Sequence, residues 1–208
     1  MNDTLHIELP PFLVQANNES RVLAAPEARM GYVLELVRAN IAAGGGPFAA
    51  AVFECDSGLL IASGANRVVP GRCSTAHAEI LALSLAQAKL GTHDLSADGL
   101  PTYELVTSAE PCVMCFGAVI WSGIRSLSCA AHSDDVEAIG FNEGPRPKNW
   151  IDELESRGIA VTIGLLRNAA CALLREYNVR NGVIYNARCT AMQMDNGTFA
   201  SSARDSLK

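Results

Sequence analysis

The chain has 208 residues, of which 49% are hydrophobic and 18% are charged, and its formal net charge is −6 at pH 7. This length and apolar content suit one compact domain with a sizeable core. A protein that grips a polynucleotide usually presents a basic face to the phosphates, so the acidic balance, with a pI of about 5.2, argues against a nucleic-acid substrate.

Neither a secretory signal nor a membrane span is predicted. Residues 1–15 lack a basic start and a long apolar run. The longest uncharged apolar stretch, at residues 111–124, is too short to cross a bilayer. The seven cysteines are scattered without the spacing of a disulfide framework, which predicts a reducing, cytoplasmic location.

The first half of the chain alternates helix-like and strand-like segments. Helices are predicted over residues 29–42 and from an N-cap at Thr75 to residue 89 or 90, and strands over residues 48–54 and 59–66. Glycines at 44–46 end the first helix, and residues 56–58 predict a hairpin turn between the strands. This assignment places His77 and Glu79 in the first turn of a helix.

The second half continues the alternation. Strands are predicted over residues 105–108, 126–131 and 159–164, and helices over residues 112–122, 149–157 and 168–180. The central order β-β-α-β-α-β implies a sheet whose strands are joined by crossover helices, with largely right-handed connections. Residues 196–208 are polar and small, and we expect them to be poorly ordered.

Two short motifs, His77-Ala78-Glu79 and Pro111-Cys112-Val113-Met114-Cys115, carry the chemistry of the chain. They resemble the H-x-E and P-C-x-x-C signature of zinc-dependent nucleobase deaminases. His77, Cys112 and Cys115 would bind zinc and leave the fourth tetrahedral position to water. Because zinc lowers the pKa of such a water towards about 7, Glu79 could take the released proton and pass it to a substrate.

A purely structural zinc site is the alternative for these residues. P-C-x-x-C alone could be half of a zinc ribbon, a redox pair or two buried small side chains. A structural site would normally complete its shell with a fourth Cys or His at a second short spacing. The sequence has no other C-x-x-C and no H-x-x-x-H, which favours a catalytic site.

Four runs extend the resemblance to the cytidine deaminase superfamily: GPFAAAV at 46–52, GAN at 64–66, TAHAE at 75–79 and SAEPCVMC at 108–115. The resemblance covers roughly residues 29–143. Within that superfamily the block AAHSDDVEAIGFNE at 130–143, in which a Phe precedes acidic and amide residues, most resembles bacterial guanine deaminases.

The resemblance implies an α/β, three-layer α-β-α cytidine-deaminase-like fold with a central mixed sheet, one Zn2+ per chain, and hydrolysis of guanine to xanthine and ammonia. It also implies a homodimer with exchanged carboxy-terminal segments, in which residues 168–186, including Tyr177 and Tyr185, cover the partner's site. Residues 1–28 are then an amino-terminal extension, residues 29–186 the deaminase domain and residues 187–208 a tail.

The residues expected to contact a purine base flank the metal motifs. The amide of Asn66 offers a donor and an acceptor to a base edge, although asparagine is also a common turn residue. Glu143 could accept hydrogen bonds from N1–H and the 2-amino group of guanine and relay a proton to the departing ammonia, or it could be a solvated loop acid. Phe48 and Phe141 are candidates for stacking on the base, and Ala76 could offer backbone groups to it.

Two other expectations concern side chains outside this set. Trp121 lies at helical spacing with apolar neighbours, so core packing is favoured over base stacking. His132, like His6 and His93, is expected to make local hydrogen bonds or face solvent, because the three-ligand shell is already complete.

Three functions remain open at this point. The first is a deaminase of free guanine. The second is a tRNA adenosine deaminase or another nucleobase or nucleotide deaminase, because PCVMC is equally typical of the tRNA adenosine deaminases; a polynucleotide substrate would require a basic groove. The third is a non-catalytic zinc-stabilised interaction module, which would unfold without metal.

Overall fold

The structure, a computed structural model, describes residues 6–186. Its elements follow in the order α1 (Pro11–Asn18), α2 (Pro26–Ala42), β1 (Ala49–Glu54), β2 (Leu60–Ala65), α3 (Ala78–Leu90), β3 (Tyr103–Ala109), α4 (Val113–Ser122), β4 (Ser126–Ala131), α5 (Ser133–Glu137), α6 (Trp150–Glu155), β5 (Ala160–Thr162) and α7 (Arg167–Val179). The tail predicted at residues 187–208 lies outside the described residues.

The five strands form one mixed sheet in the order β2-β1-β3-β4-β5. β1 pairs antiparallel with both β2 and β3. β3, β4 and β5 are parallel to one another, as strands joined by crossover helices must be. The parallel half therefore brings the carboxyl ends of β3 and β4 to the same edge of the sheet.

The sheet is buried on both faces, and its side chains alternate between two cores. In β1, Ala49, Ala51 and Phe53 belong to the core shared with α1, α2 and α7. Ala50 and Val52 belong to the core shared with α3, α4 and α6. The predicted three-layer α-β-α arrangement around a mixed sheet is confirmed.

A glycine lets α3 approach the sheet closely. A Cβ atom at Gly64 of β2 would collide with the backbone of Ala78 and Ala82 in α3. The absence of a side chain at this position therefore places the start of α3, and Glu79 with it, directly against the strands.

The helix that carries Glu79 begins later than predicted. His77, with φ −73° and ψ 156°, has extended backbone and is the N-cap residue of α3, so the N-cap predicted at Thr75 is wrong by two residues. Two short helices, α1 and α5, were not predicted. In α5 the side chain of Asp135 accepts the backbone N–H of His132 at 2.9 Å, which is half of a capping box.

The core position expected for Trp121 is wrong, because its side chain is 84% exposed. α4 buries Cys115, Phe116, Val119 and Ser122. Trp121 comes two residues after Val119, which is about 200° around the helix. It therefore points away from the sheet.

The amino-terminal extension packs along β2, the outer strand of the sheet. Leu13 of α1 is fully buried in the core. The side chain of Asn17 accepts the backbone N–H of Ser63 at 2.6 Å and donates to the carbonyl of Ser63 at 3.0 Å. Further along, Val22 forms an antiparallel bridge with Leu59. Residues 6–28 are thus part of the folded unit.

A buried ion pair joins α2 to the middle of the sheet. Arg29 donates to Glu104 at 2.7 Å, and both side chains are 8% exposed. The guanidinium also donates to the carbonyl oxygens of Leu23 and Cys55, and Glu104 accepts the hydroxyl of Ser128 at 2.6 Å. Such a satisfied pair is costly to break from one side, about 3–5 kcal/mol when one partner of a buried pair is removed.

Within residues 6–186, no helix combines the length and apolar character needed to cross a membrane. Six cysteines fall in the same range, and none of these six forms a disulfide.

Candidate active site

The two sequence motifs meet where strands of the sheet end and helices begin. Cys112 is the N-cap residue of α4, which follows β3, and Cys115 lies in its first turn. His77 is the N-cap residue of α3. Ala109 and Ala131 pair at the carboxyl ends of β3 and β4, the edge at which open α/β sheets bind ligands.

His77, Cys112 and Cys115 are arranged to hold a metal ion. The Nδ1 atom of His77 lies 3.6 Å from the Sγ atom of each cysteine, and all three donor atoms lie within 4.8 Å of one another. Zinc bonds of about 2.3 Å to sulfur and about 2.0–2.1 Å to nitrogen, at tetrahedral angles, separate the two donors by about 3.6 Å. The donor set and its spacing therefore fit zinc.

The electrostatics of the site also suit a cation. Hydrogen bonds from Cys115 and His77 lower the pKa of the Cys112 thiol to about 4, which makes this sulfur a thiolate. Burial raises the pKa of Glu143 to about 8, and the negative charges of Cys112 and Glu79 add to the shift. Two carboxyl groups that resist ionisation thus lie beside one thiolate, and a divalent cation bound there would favour the ionised form of all three.

Glu79 is held beside the metal donors without being one of them. Its Oε1 atom accepts the hydroxyl of Thr107 at 3.3 Å, and its Oε2 atom lies 3.4 Å from the Sγ atom of Cys115. Burial raises the pKa of this carboxyl. A carboxylate in this position can exchange protons with a molecule at the metal.

A cavity of about 440 Å³ opens in front of these groups, and it is lined by Phe48, Asn66, Val68, Ser74, His77, Glu79, Ala109, Glu110, Cys112, Phe141, Asn142, Glu143, Tyr185 and Asn186. The structure brings Asn66, Glu143, Phe48 and Phe141 together with the metal site in one cavity. Ala76 is not among the lining residues. It is buried, its N–H is donated to Cys73 and its carbonyl accepts the N–H of Arg67.

Asn66 makes a turn contact and also faces the cavity. Its Oδ1 atom accepts the backbone N–H of Val68 at 3.3 Å, which is the turn contact. Its side chain also lines the cavity. The backbone oxygen of Asn66 is fixed by the buried Asn40 side chain, which donates to it at 2.9 Å and to Gly46 at 2.8 Å.

Three aromatic rings form one wall of the cavity. The centroid of Phe141 lies 5.1 Å from that of Phe48 and 5.0 Å from that of Tyr185, each in an edge-to-face arrangement. Tyr185 also lies 6.3 Å from the ring of His77. A flat heterocycle could pack against this wall.

The carboxy-terminal segment reaches this cavity in the same chain. The side chain of Asn186 accepts the N–H of Asn142 at 2.9 Å and donates to the carbonyl of Gly140 at 2.7 Å. The hydroxyl of Tyr177 in α7 donates to Val183 at 2.8 Å. Residues 183–186 are thereby held against the loop that carries Glu143.

Sequence reasoning missed several residues of this site, among them Thr107, Asn40 and Glu110. Glu110 precedes the metal motif directly and could have been noticed for that reason. Thr107 and Asn40 carry no local signal, because their contacts depend on how distant elements pack.

Comparison with known proteins agrees with this geometry. A family model for the cytidine and deoxycytidylate deaminase zinc-binding region matches residues 25–131. Among curated proteins, the guanine deaminase of Bacillus subtilis (strain 168) is 38% identical over 99 residues, which are 48% of this chain and 59% of that protein. The match therefore spans less than two thirds of that relative.

Two solved structures resemble the chain over nearly its whole length. A guanine deaminase from Nitrosomonas europaea is 86% identical with a TM-score of 0.85, covering 86% of this chain and 98% of that one. A protein solved in complex with 2,6-diaminopurine is 87% identical with a TM-score of 0.86, covering 91% of this chain and 100% of that one.

These matches confirm the predicted resemblance and the zinc cofactor. The family model covers more than half of the sequence and includes both metal motifs. The chain therefore belongs to the cytidine and deoxycytidylate deaminase zinc-binding family.

Proposed function

We propose that the protein hydrolyses guanine to xanthine and ammonia, with His77, Cys112 and Cys115 as the ligands of one zinc ion. The observation that carries the proposal is the convergence of this donor set with Glu79 in a cavity lined by Asn66 and Glu143. The similarity to guanine deaminases from two bacteria supports the same substrate.

The reaction adds water to C2 of guanine and releases the 2-amino group as ammonia. Bound zinc supplies the acidity that lowers the pKa of water from about 15.7 to about 7. Glu79 takes a proton from the attacking water and delivers it to the base, as a general acid–base does. Its contact with Thr107 holds the carboxylate in place for both transfers.

The base is recognised from both edges. Asn66 faces O6 and N7, which are acceptors, and Glu143 faces N1–H and the 2-amino group, which are donors. Glu143 could also take the remaining O–H proton of the water adduct at C2 and relay it to the 2-amino group, which then leaves as ammonia. The rings of Phe48 and Phe141 pack against one flat face of the base.

The substrate class is tested by measuring ammonia from guanine, adenine, cytosine, cytidine and tRNA under one set of conditions. We expect guanine to be turned over fastest, with little effect of salt. Faster turnover of cytidine or of a tRNA would overturn the guanine assignment. In the tRNA case the rate should also fall steeply with salt, because phosphate contacts release counterions.

We also propose that the protein is a homodimer whose residues 168–186 are exchanged between subunits. A large apolar side chain, Trp121, is 84% exposed on α4, and Val113 of the same helix is 37% exposed, which suits a surface covered by a second copy. In one chain Tyr185 lies over that chain's own cavity. Exchange would make the same contacts between two chains.

Deleting the residues after Arg180 should lower activity while zinc content and circular dichroism are unchanged, because water then enters the site. Mixing this truncated chain with full-length Glu79→Gln tests the exchange. Recovery of activity in the mixture is expected, since the inactive chain lends its carboxy-terminal segment to an intact metal site. No recovery would mean that each chain covers its own site. Full activity of the truncated chain alone would show that the carboxy-terminal segment is not needed to cover the site.

The cytoplasm remains our proposal for the location of the protein. It is supported by the six described cysteines, which form no disulfide with one another, as is typical of a reducing compartment.

A further inference from the structure

The loop that carries Glu143 is fastened to the start of the metal-binding helix. The backbone carbonyl of Glu143 accepts the N–H of Val113, the first residue of α4, at 2.9 Å. Three residues later, Arg146 donates to the carbonyl of Pro111 at 2.7 Å. Pro111 and Val113 are the two neighbours of the ligand Cys112 in sequence. The loop is therefore hydrogen-bonded to the backbone on both sides of Cys112.

Arg146 makes its strongest contact with Glu110. The two side chains are 11% and 8% exposed, and they form an ion pair at 2.7 Å. The same guanidinium donates to the Ser133 hydroxyl at 2.7 Å, and it lies 4.3 Å from the ring centroid of Trp150. Four different contacts fix the position of one side chain.

Both carboxylate oxygens of Glu110 also have polar partners. Its Oε1 atom lies 2.9 Å from Nδ1 of His132, as the sequence predicted for a local role of that histidine. Its Oε2 atom accepts the Ser133 hydroxyl at 3.0 Å as well as Arg146. A carboxylate with this many partners is a rigid anchor.

We propose that Arg146, anchored by Glu110, is a positioning residue that sets the distance between the Glu143 carboxylate and the metal site. The inference rests on the proposed contact of Glu143 with the substrate. A planar guanidinium can reach a carboxylate and a carbonyl at once, whereas the ammonium of lysine is a point charge on a flexible stem. Lysine would therefore keep the charge and lose the fixed distance.

The expected cost follows from how sharply catalysis depends on placement. A misplacement of about 1 Å can lower a rate by about 100-fold. Arg146→Lys should accordingly lower kcat for guanine by roughly 10- to 100-fold, with zinc content and circular dichroism unchanged. The matched control is Arg157→Lys, because Arg157 pairs with Glu153 on the surface of the same region. That variant should have the parent's activity.

A double-mutant cycle separates positioning from a general structural effect. In a Glu143→Gln background we expect Arg146→Lys to change kcat by less than about threefold, because the group that it positions is already disabled. An equal loss in both backgrounds would overturn the inference. If Glu143→Gln alone has the parent's activity, the proposed role of Glu143 fails instead.

If Arg146→Lys does not fold or does not hold zinc, the variant Glu110→Gln tests the same inference. Glu110→Gln keeps the shape of the anchor and removes its charge, and its effect on kcat should also vanish in the Glu143→Gln background. Persistence of the Glu110→Gln loss in that background would equally overturn the positioning role.

Discussion

Replacing Glu79 by Gln should lower the rate of guanine deamination by at least about 10²- to 10⁴-fold, the range that a positioned acid–base group contributes. Glutamine has nearly the same shape and can still contact Thr107, but its amide cannot take up and return a proton. Since Glu79 is not one of the metal donors, the variant should keep one zinc per chain and its fold.

Zinc analysis with single-turnover and steady-state assays checks this expectation. The contrasting variant is Cys112→Ala combined with Cys115→Ala, which should lose the metal because only one of the three donors remains. A Glu79→Gln protein with near-parental activity would show that the proton is carried by another group. Full zinc occupancy in the double cysteine variant would show that the metal binds elsewhere.

Guanine should be preferred over adenine by about 10⁴- to 10⁵-fold in kcat/KM, the discrimination reached where a site is built to hydrogen-bond its substrate. Adenine has no 2-amino group, and it presents a donor at position six where guanine presents an acceptor. Bound in the same orientation, it would place the acceptor N1 against the Glu143 carboxylate and leave that carboxylate without a donor in a largely buried cavity. It would also carry no leaving group at C2.

Glu143→Ala should remove this activity while zinc is retained, because the substitution deletes the partner of N1–H and the 2-amino group and leaves the ligands untouched. The measurement is kcat/KM for both bases together with zinc content. Parental activity of Glu143→Ala, or comparable rates for the two bases, would contradict the recognition scheme and leave only the zinc deaminase class.

Much of the fold follows from local patterns in the sequence. β4 is found at the predicted residues, and α2, β1 and β2 lie within three residues of prediction, because their apolar spacing and flanking glycines act locally. Trp121 shows the limit of such patterns. Apolar side chains surround α4, and only the direction of the sheet decides which of them become buried.

The active site, like the fold, could be predicted only in part from local patterns in the sequence. His77, Glu79, Cys112 and Cys115 could be identified from two short motifs, because ligands at helix starts need fixed local spacing. The contacts that support them join residues far apart in sequence, as Thr107 with Glu79 or Arg146 with Glu110. No spacing rule connects such pairs, and only the packing of the helices on the sheet reveals them.

The amino-terminal segment along β2 has a consequence for solubility. An uncovered outer strand presents free N–H and C=O groups and can recruit the strand of another molecule, which is a common route to aggregation. Asn17 offers Ser63 the same donor and acceptor that an invading strand would offer, and residues 21–23 continue the protection beside Leu59. The extension thus occupies the place where uncontrolled sheet growth would begin.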